Sequence, residues 1–386
     1  MQRREFLGAS VLALANSTWL NSCLAGAGEN GRPLYLSAAA EPDGSYWLQA
    51  FSVQLGALQP HYRIALPERG HHVAVDPARR LFVVIARRPD TWLVLGDLDS
   101  GELLQELRVP TQRHLYGHGI FSADGEFFYT TESDLRDPQG DNGLVVEWRV
   151  ERQGAKPVLQ REREFSSGGV GPHELLLHPD GETLVIANGG LRTHPDTGRE
   201  VLNVDSMQSS LVYLDRHNGQ LLERQVMPPE LRLASIRHLA VNSSAQVVLG
   251  MQYQGEAFEQ VPLVATHSRG AALRLLDTPA ELLGRMKQYV GSVCYSADGA
   301  WLAATCPRGN LLAFWSAEDG RFVGSIPARD GCGICASEDG FLFSSGVGRI
   351  ARYDPRADAV AEFNPPHDWQ LFWDNHMTAV APGWTA

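Results

Sequence analysis

Residues 113–131 read RHLYGHGIFSADGEFFYTT. A short apolar run, a tight Asp124-Gly125 turn and a second apolar run follow one another, which is the pattern of a β-hairpin. Asp-Gly suits that turn because its residues tolerate positive φ. The four-residue spacing of His114 and His118, suggestive of a helix face, is then coincidental. His118 opens a strand, and His114 is placed in the loop before it.

The unit recurs in degraded form along the chain: GHHVAVDPARR (70–80), YGHGIFSADGE (116–126), GPHELLLHPDGE (171–182), IRHLAVNSSAQ (236–246), VGSVCYSADGA (290–300), CGICASEDG (332–340) and DNHMTAVAPG (374–383). A second apolar run follows six of them, as in LFVVIA (81–86) and TLVIAN (183–188). An outer hairpin then follows at variable distance, clearest in residues 92–110, 211–228 and 311–327. Equivalent turn positions fall at 76, 122, 178, 242, 296, 337 and 381, so the gaps run from 41 to 64 residues. A four-stranded propeller blade needs about 40–45 residues, with any excess going into loops. The last unit lacks outer strands, whereas three strand-like runs, RPLYLSA (32–38), YWLQAFSV (46–53) and YRIAL (62–66), precede the first. The expected fold class is therefore all-β: a seven-bladed β-propeller over residues 30–386, closed by a C-terminal inner strand that joins three N-terminal outer strands.

The first 29 residues form a separate segment. Arg3-Arg4-Glu5-Phe6-Leu7 and the interrupted apolar stretch to Leu20 are expected to be an export signal of twin-arginine type, too short to span a membrane. Periplasmic localisation follows, with no transmembrane segment in the mature chain. Cleavage is placed near Ala25-Gly26-Ala27, with a lipid anchor on Cys23 as the lesser alternative. The remaining cysteines, Cys294, Cys306, Cys332 and Cys335, are expected to be either disulfide-bonded or buried thiols. The spacing of Cys332-Gly-Ile-Cys335 fits a redox motif, but the βαβ setting that gives such motifs meaning is missing. A net charge of −12 over 386 residues provides no basic stripe and argues against nucleic acid. A monomer is expected.

Long loops follow the second strand at 132–142, 189–208 and 253–270, on the face where the innermost strands begin. Function is expected on that face. The two residues opening each innermost strand are His71-His72, Gly117-His118, His173-Glu174, Arg237-His238, Gly291-Ser292, Cys332-Gly333 and His376-Met377. Six of the chain's 13 histidines occupy these fourteen slots, a concentration that placement by chance does not produce. We read His72, His118, His173, His238 and His376 as candidate ligands of a transition metal, iron or copper, at the channel mouth. His71, Glu174, Arg237 and His194 are the expected second-shell or ligand-binding residues. Arg192, Asp196, Asn203 and Asp205 share the longest loop with His194 and are weaker candidates to fold over the channel. Asp134, Asp137 and Asp141 have calcium-like composition without calcium-loop spacing and are read as a solvated acidic loop. Nucleophile-elbow, phosphate-loop, zincin and haem-attachment motifs are absent.

The twin-arginine start, GVGPHELLLHPDG (169–181), THPDTGREVLNVDSMQSSLVYLD (193–215) and SIRHLAVN (235–242) resemble an exported bacterial propeller family of unknown function, domain-of-unknown-function family 1513. That family is YVTN/WD40-like and similar to the quinoprotein amine dehydrogenase β-chain-like superfamily, a likeness of fold and not of activity. The resemblance covers essentially the whole mature chain. It implies genes lying beside imelysin-like and di-haem peroxidase-like proteins, and hence a periplasmic part in iron acquisition with such partners. It carries no established catalytic residues. The preferred expectation is a periplasmic propeller that binds a transition metal or metal complex through its histidine ring. The alternatives are a metal-dependent enzyme at the same site, either a lactonase-like hydrolase or an oxidoreductase, and a protein-interaction scaffold without metal.

Overall fold

The computed structural model describes residues 32–136, 140, 142–154, 156–197 and 200–380. The export signal with Cys23, and also Asp137 and Asp141, lie outside the described residues. The described chain forms seven four-stranded antiparallel sheets arranged as a seven-bladed β-propeller. Blades 1 to 6 use consecutive strands, beginning with innermost strands Gly70–Asp76, Arg113–Phe121, Pro172–Leu177, Ala234–Val241, Ser292–Tyr295 and Gly331–Ser337. Blade 7 takes its innermost strand, Phe372–Val380, from one end of the chain and its outer strands, Leu34–Ala40, Tyr46–Gln54 and Ala57–Ala65, from the other.

The second strand of each blade is the most apolar because both of its faces are covered by neighbouring blades. Leu81–Ala86, Thr183–Asn188 and Gly340–Ser345 are buried along their whole length. Outermost strands alternate and are largely exposed, as in Leu221–Val226. Such two-sided burial with a solvated rim is what short strands stacked blade on blade require. The core is therefore distributed over the interfaces between blades. One cluster around Phe82, Trp92 and Phe128 welds blades 7, 1 and 2. Five others fill the remaining interfaces, including the Phe314–Phe341 contact between blades 5 and 6.

Two expectations need correction. The loop expected over 253–270 ends at Leu263, because Val264–His267 is the third strand of blade 4. That strand has only four residues and its outer partner, Arg274–Leu275, only two, so their alternation is too brief to register in the sequence. His114 lies within the innermost strand of blade 2, not in a loop before it, and Leu115 beside it pairs with Glu132. The strand continues through a register break at Leu115/Gly119, which Gly117 permits by adopting φ +98°. All four cysteines are free thiols, three of them fully buried and Cys294 partly so, which selects the buried-thiol alternative. Among the described residues no helix is long and apolar enough to cross a membrane. The only α-helix among them, Ala280–Met286, packs Leu282 and Met286 into the core before blade 5.

If blade 7 depends on both chain ends, truncation after Leu371 leaves Leu34–Ala40 as an unpaired edge beside an open interface. The truncated protein is expected to lose cooperative thermal unfolding and to aggregate. A sharp melting transition retained by that variant, measured by circular dichroism, would contradict this dependence.

Candidate metal centre

The innermost strands break register at the channel mouth, and the breaks are where the candidate residues sit. Pairing with the second strand shifts at Gly70/His72, Leu115/Gly119, Pro172/Leu175, Ile236/His238 and Gly331/Ile334. In blade 7 residues 374–376 are skipped between the partners of Ser37 and Ala39. Only blade 5 pairs without a shift at this end. A bulge turns its extra residue out of the alternating pleat and redirects the side chain. His71, His118, His173, Glu174, Arg237 and His376 all fall within these shifts.

The result is a single cluster of six imidazoles. Ring centroids lie 4.6 Å apart for His71–His376 and for His118–His376, 4.9 Å for His118–His173, 5.0 Å for His173–His238 and 5.2 Å for His72–His118. Ligating atoms of His71, His118 and His173 lie within 4.8 Å of one another, as do those of His118, His238 and His376. His118 belongs to both groups and is fully buried. His72 stacks on His118 but belongs to neither group, whereas His71, expected behind the ligands, belongs to one.

Two carboxylates orient the rings. Glu174 Oε2 lies 3.2 Å from His238 Nδ1 and accepts the Leu239 backbone N–H at 3.1 Å. Its other oxygen lies 3.7 Å from His118 Nδ1. Asp374, which the sequence reading omits, lies 3.4 Å from His71 Nδ1 and is ion-paired with Arg69 and, at 3.3 Å, with Arg87. Asp374 stays ionised, well below the usual carboxylate range, because the His71 hydrogen bond and both arginines outweigh its burial. Hydroxyls fix the bulged backbone: Ser37 donates to the His376 carbonyl at 2.8 Å and Thr131 to that of His173 at 2.9 Å.

Burial disfavours protonation of His71, His72, His118, His173 and His376. It pushes His71 down to about 4, against a partial upward pull from Asp374. Burial, reinforced by neighbouring imidazoles, holds His118 and His376 well below the ordinary histidine value, and for His173 the Arg237 guanidinium adds to it. His72 is lowered by burial as well. Both ring nitrogens of His118, Nδ1 of His72 and His173, and Nε2 of His376 are buried without a hydrogen-bond partner among the described residues. Buried polar atoms are ordinarily paired, and each exception calls for an explanation. Neutral nitrogens with free lone pairs, converging from several blades, suit a nitrogen-ligated metal ion. These residues can hold one.

Above the cluster opens a cavity of about 250 Å³ whose floor is His71, His173 and His238 and whose walls include Arg87, Arg88, Arg237 and Arg308. Leu191, Thr193 and Val201 bring the longest loop over it. That loop is cross-tied by Asn203, which accepts from the Arg192 N–H at 2.7 Å and donates to the Gly190 carbonyl at 2.9 Å. His194 points elsewhere, pairing with Asp196 at 3.5 Å. His114 is buried beside Tyr116, with both ring nitrogens unpartnered, and burial pushes it down to about 3. Asp134 is engaged by Arg113 and Arg136 and is not a solvated loop residue. The sequence reading misses Arg87, Arg88 and Arg308. Arg87-Arg88 and Pro307-Arg308 directly follow the second strands of blades 1 and 5, and that shared position is the signal that could have found them.

His71, His72, His118, His173 and His376 take up protons less readily in the folded chain than in the unfolded one. Their contribution to stability is complete above the ordinary histidine value of 6.5 and is lost as pH falls towards the folded value. For His71 alone the loss reaches on the order of 3 kcal/mol near pH 4. Metal-free protein should melt at steadily lower temperature from pH 7.5 to 4.5, and His118→Gln should flatten that slope; equal slopes would mean that the rings do not resist protonation. Gly117→Ala tests the bulge itself, since a Cβ there falls 2.4 Å from the His71 ring and the φ is unfavourable for alanine. It should destabilise by about 1–3 kcal/mol, read as a lowered denaturation midpoint.

The family model described as "Protein of unknown function (DUF1513)" matches residues 64–380. No curated protein matches the sequence. Among solved structures, a Bacteroides fragilis protein provisionally described as a 6-phosphogluconolactonase is 14% identical, with 92% of this chain and 99% of that one covered at a TM-score of 0.60. Hydrazine synthase from Kuenenia stuttgartiensis is 14% identical over 84% of this chain and 94% of that one, with a TM-score of 0.57. The Cps50 (Swd1) propeller domain of Myceliophteria thermophila is 12% identical over 81% and 93%, with a TM-score of 0.55. At such identities the likeness is one of fold alone.

Proposed function

The chain belongs to the DUF1513 family of proteins of unknown function, and we propose that it is an exported, periplasmic propeller that holds a transition metal ion or metal complex, iron or copper, on the histidines at its channel mouth. The observation that carries this reading is the pair of three-histidine groups sharing His118, with buried ring nitrogens that have no partner among the described residues. Imidazole donors suit iron, copper and zinc better than calcium or magnesium, which prefer oxygen. Among the described residues neither three-histidine group includes a cysteine, and burial pushes the Cys294 thiol up to about 12.

His118, His238 and His376 are the best-buried of the two groups and form the core of the site. Glu174 acts behind them by holding His238 through Nδ1, which leaves its Nε2 available for coordination. Burial disfavours protonation of His118 and His376, so their lone pairs meet little proton competition and binding weakens on acidification. The bound metal supplies Lewis acidity or redox capacity to whatever enters the cavity above it. Metal handling beside imelysin-like and di-haem peroxidase-like periplasmic proteins is the physiological setting proposed. The open cavity over the cluster also favours a second reading, a metal-dependent hydrolase or oxidoreductase at the same site.

Elemental analysis of protein recovered from the periplasm, after iron-limited and copper-supplemented growth, is the direct test. Near-stoichiometric iron or copper is expected in the wild-type protein. A variant combining His118→Ala, His238→Ala and His376→Ala should lose it while keeping its β-sheet circular dichroism. Metal retained by the triple variant would sink the proposal.

A further inference from the structure

The walls of the cavity carry an electrostatic signature that the histidine cluster does not need. The protein has a net charge of −12, yet the described residues lining this cavity include four arginines and no carboxylate. Arg87 is compensated by Asp374. Arg88, Arg237 and Arg308 have no acidic partner among the described residues. Arg88 donates only to the Thr193 hydroxyl, at 3.1 Å, and Arg308 lies over the Tyr289 ring at 4.3 Å. Arg237 is the sharpest case. It is only 7% exposed, its Nε has no hydrogen-bond partner among the described residues, and the charge that acts on it most strongly is the like charge of Arg88.

A buried, unpaired guanidinium is costly and persists only where something compensates it. Here the bulge of blade 4 delivers Arg237 into the cavity, one residue from His238. Arg88 and Arg308 come from blades 1 and 5, so the three positive groups approach from different sides. An ion with several carboxylates offers each of them a separate acceptor group, because guanidinium matches carboxylate in a two-point geometry. The volume of about 250 Å³ is below that of drug-sized ligands and suits a compact one.

We propose that the arginine-walled cavity is a binding site for a small polycarboxylate anion, held by Arg88, Arg237 and Arg308 directly above the histidine cluster. The anion arrives alone or already bound to a metal ion, and its charge offsets the three unpaired guanidiniums. This deepens the metal-binding reading by naming the ligand class, but the arginine geometry would select such an anion without a metal as well.

The test is calorimetric titration of the metal-stripped full-length exported protein with citrate, ferric citrate and phosphate at low salt. Wild-type protein should bind citrate at least tenfold more tightly than phosphate, and added chloride should weaken it. Arg237→Met and Arg88→Met should each weaken citrate binding tenfold or more, whereas Arg321→Gln, at an exposed side chain just before the outer strand Phe322–Pro327, should not change it. Arg237→Met should also raise the melting temperature of the ligand-free protein, because it removes an unpaired buried charge; a purely structural arginine would give the opposite sign. Citrate affinity unchanged in Arg237→Met, phosphate bound as tightly as citrate, or no citrate binding with or without iron would each overturn the proposal. Tighter binding of ferric citrate than of citrate identifies the chelate as the preferred form and supports it. Titration of the wild-type protein with cobalt(II) alone reports on the metal reading separately, since its failure leaves the citrate result standing.

Discussion

The register break at the mouth of the innermost strands is the constraint on which this site depends. A regular strand alternates its side chains between the two faces of the blade, so it cannot aim consecutive residues at the propeller axis. Each break inserts residues that leave this alternation and project inward. In blade 2 the break spans residues 116–118 and needs Gly117 in a left-handed conformation, with no room for a Cβ beside the His71 ring. Closure of the ring by the terminal blade then brings His376 against His71 and His118. Six rings from five blades meet only because both conditions hold.

Such a cluster opposes stability when empty. Six imidazoles crowd together, several with nitrogens that find no partner among the described residues, and burial disfavours protonation of His118, His173 and His376. The compensation comes from the interfaces between blades, where apolar residues such as Phe82, Trp92, Phe314 and Phe343 are completely buried. Apolar packing and unpaired polar groups are thereby separated in space: the blades hold together by burial, and the axis carries the unsatisfied ring nitrogens. Local rules broken at one place while the surrounding scaffold obeys them are the usual mark of a functional site.

Charge is separated in the same way. Glu174 and Asp374 sit beside or beneath the rings and fix their orientation. The arginines crowd the entrance, in a protein whose overall charge is strongly negative. A positive entrance leading to neutral nitrogen donors would repel a bare cation at long range and attract one that travels inside an anionic shell.

The repeat of apolar run, Asp-Gly turn and apolar run determined the blade number and the all-β class by itself, because strand period and turn chemistry are local properties. The concentration of histidines in equivalent slots was legible for the same reason: the repeat converts a sequence position into a position on the axis. Which histidine plays which part was decided only in three dimensions. His71 and His72 are adjacent in sequence, but the bulge at Gly70/His72 sends His71 into a three-histidine group and leaves His72 stacked behind His118. Asp374 could not be singled out, because its role depends on the His71, Arg69 and Arg87 that another blade brings opposite it. Short outer strands such as Arg274–Leu275 left no periodic trace at all. Local pattern specifies strands and their order, whereas the facing of side chains across a closed ring depends on closure, and closure is a property of the whole chain.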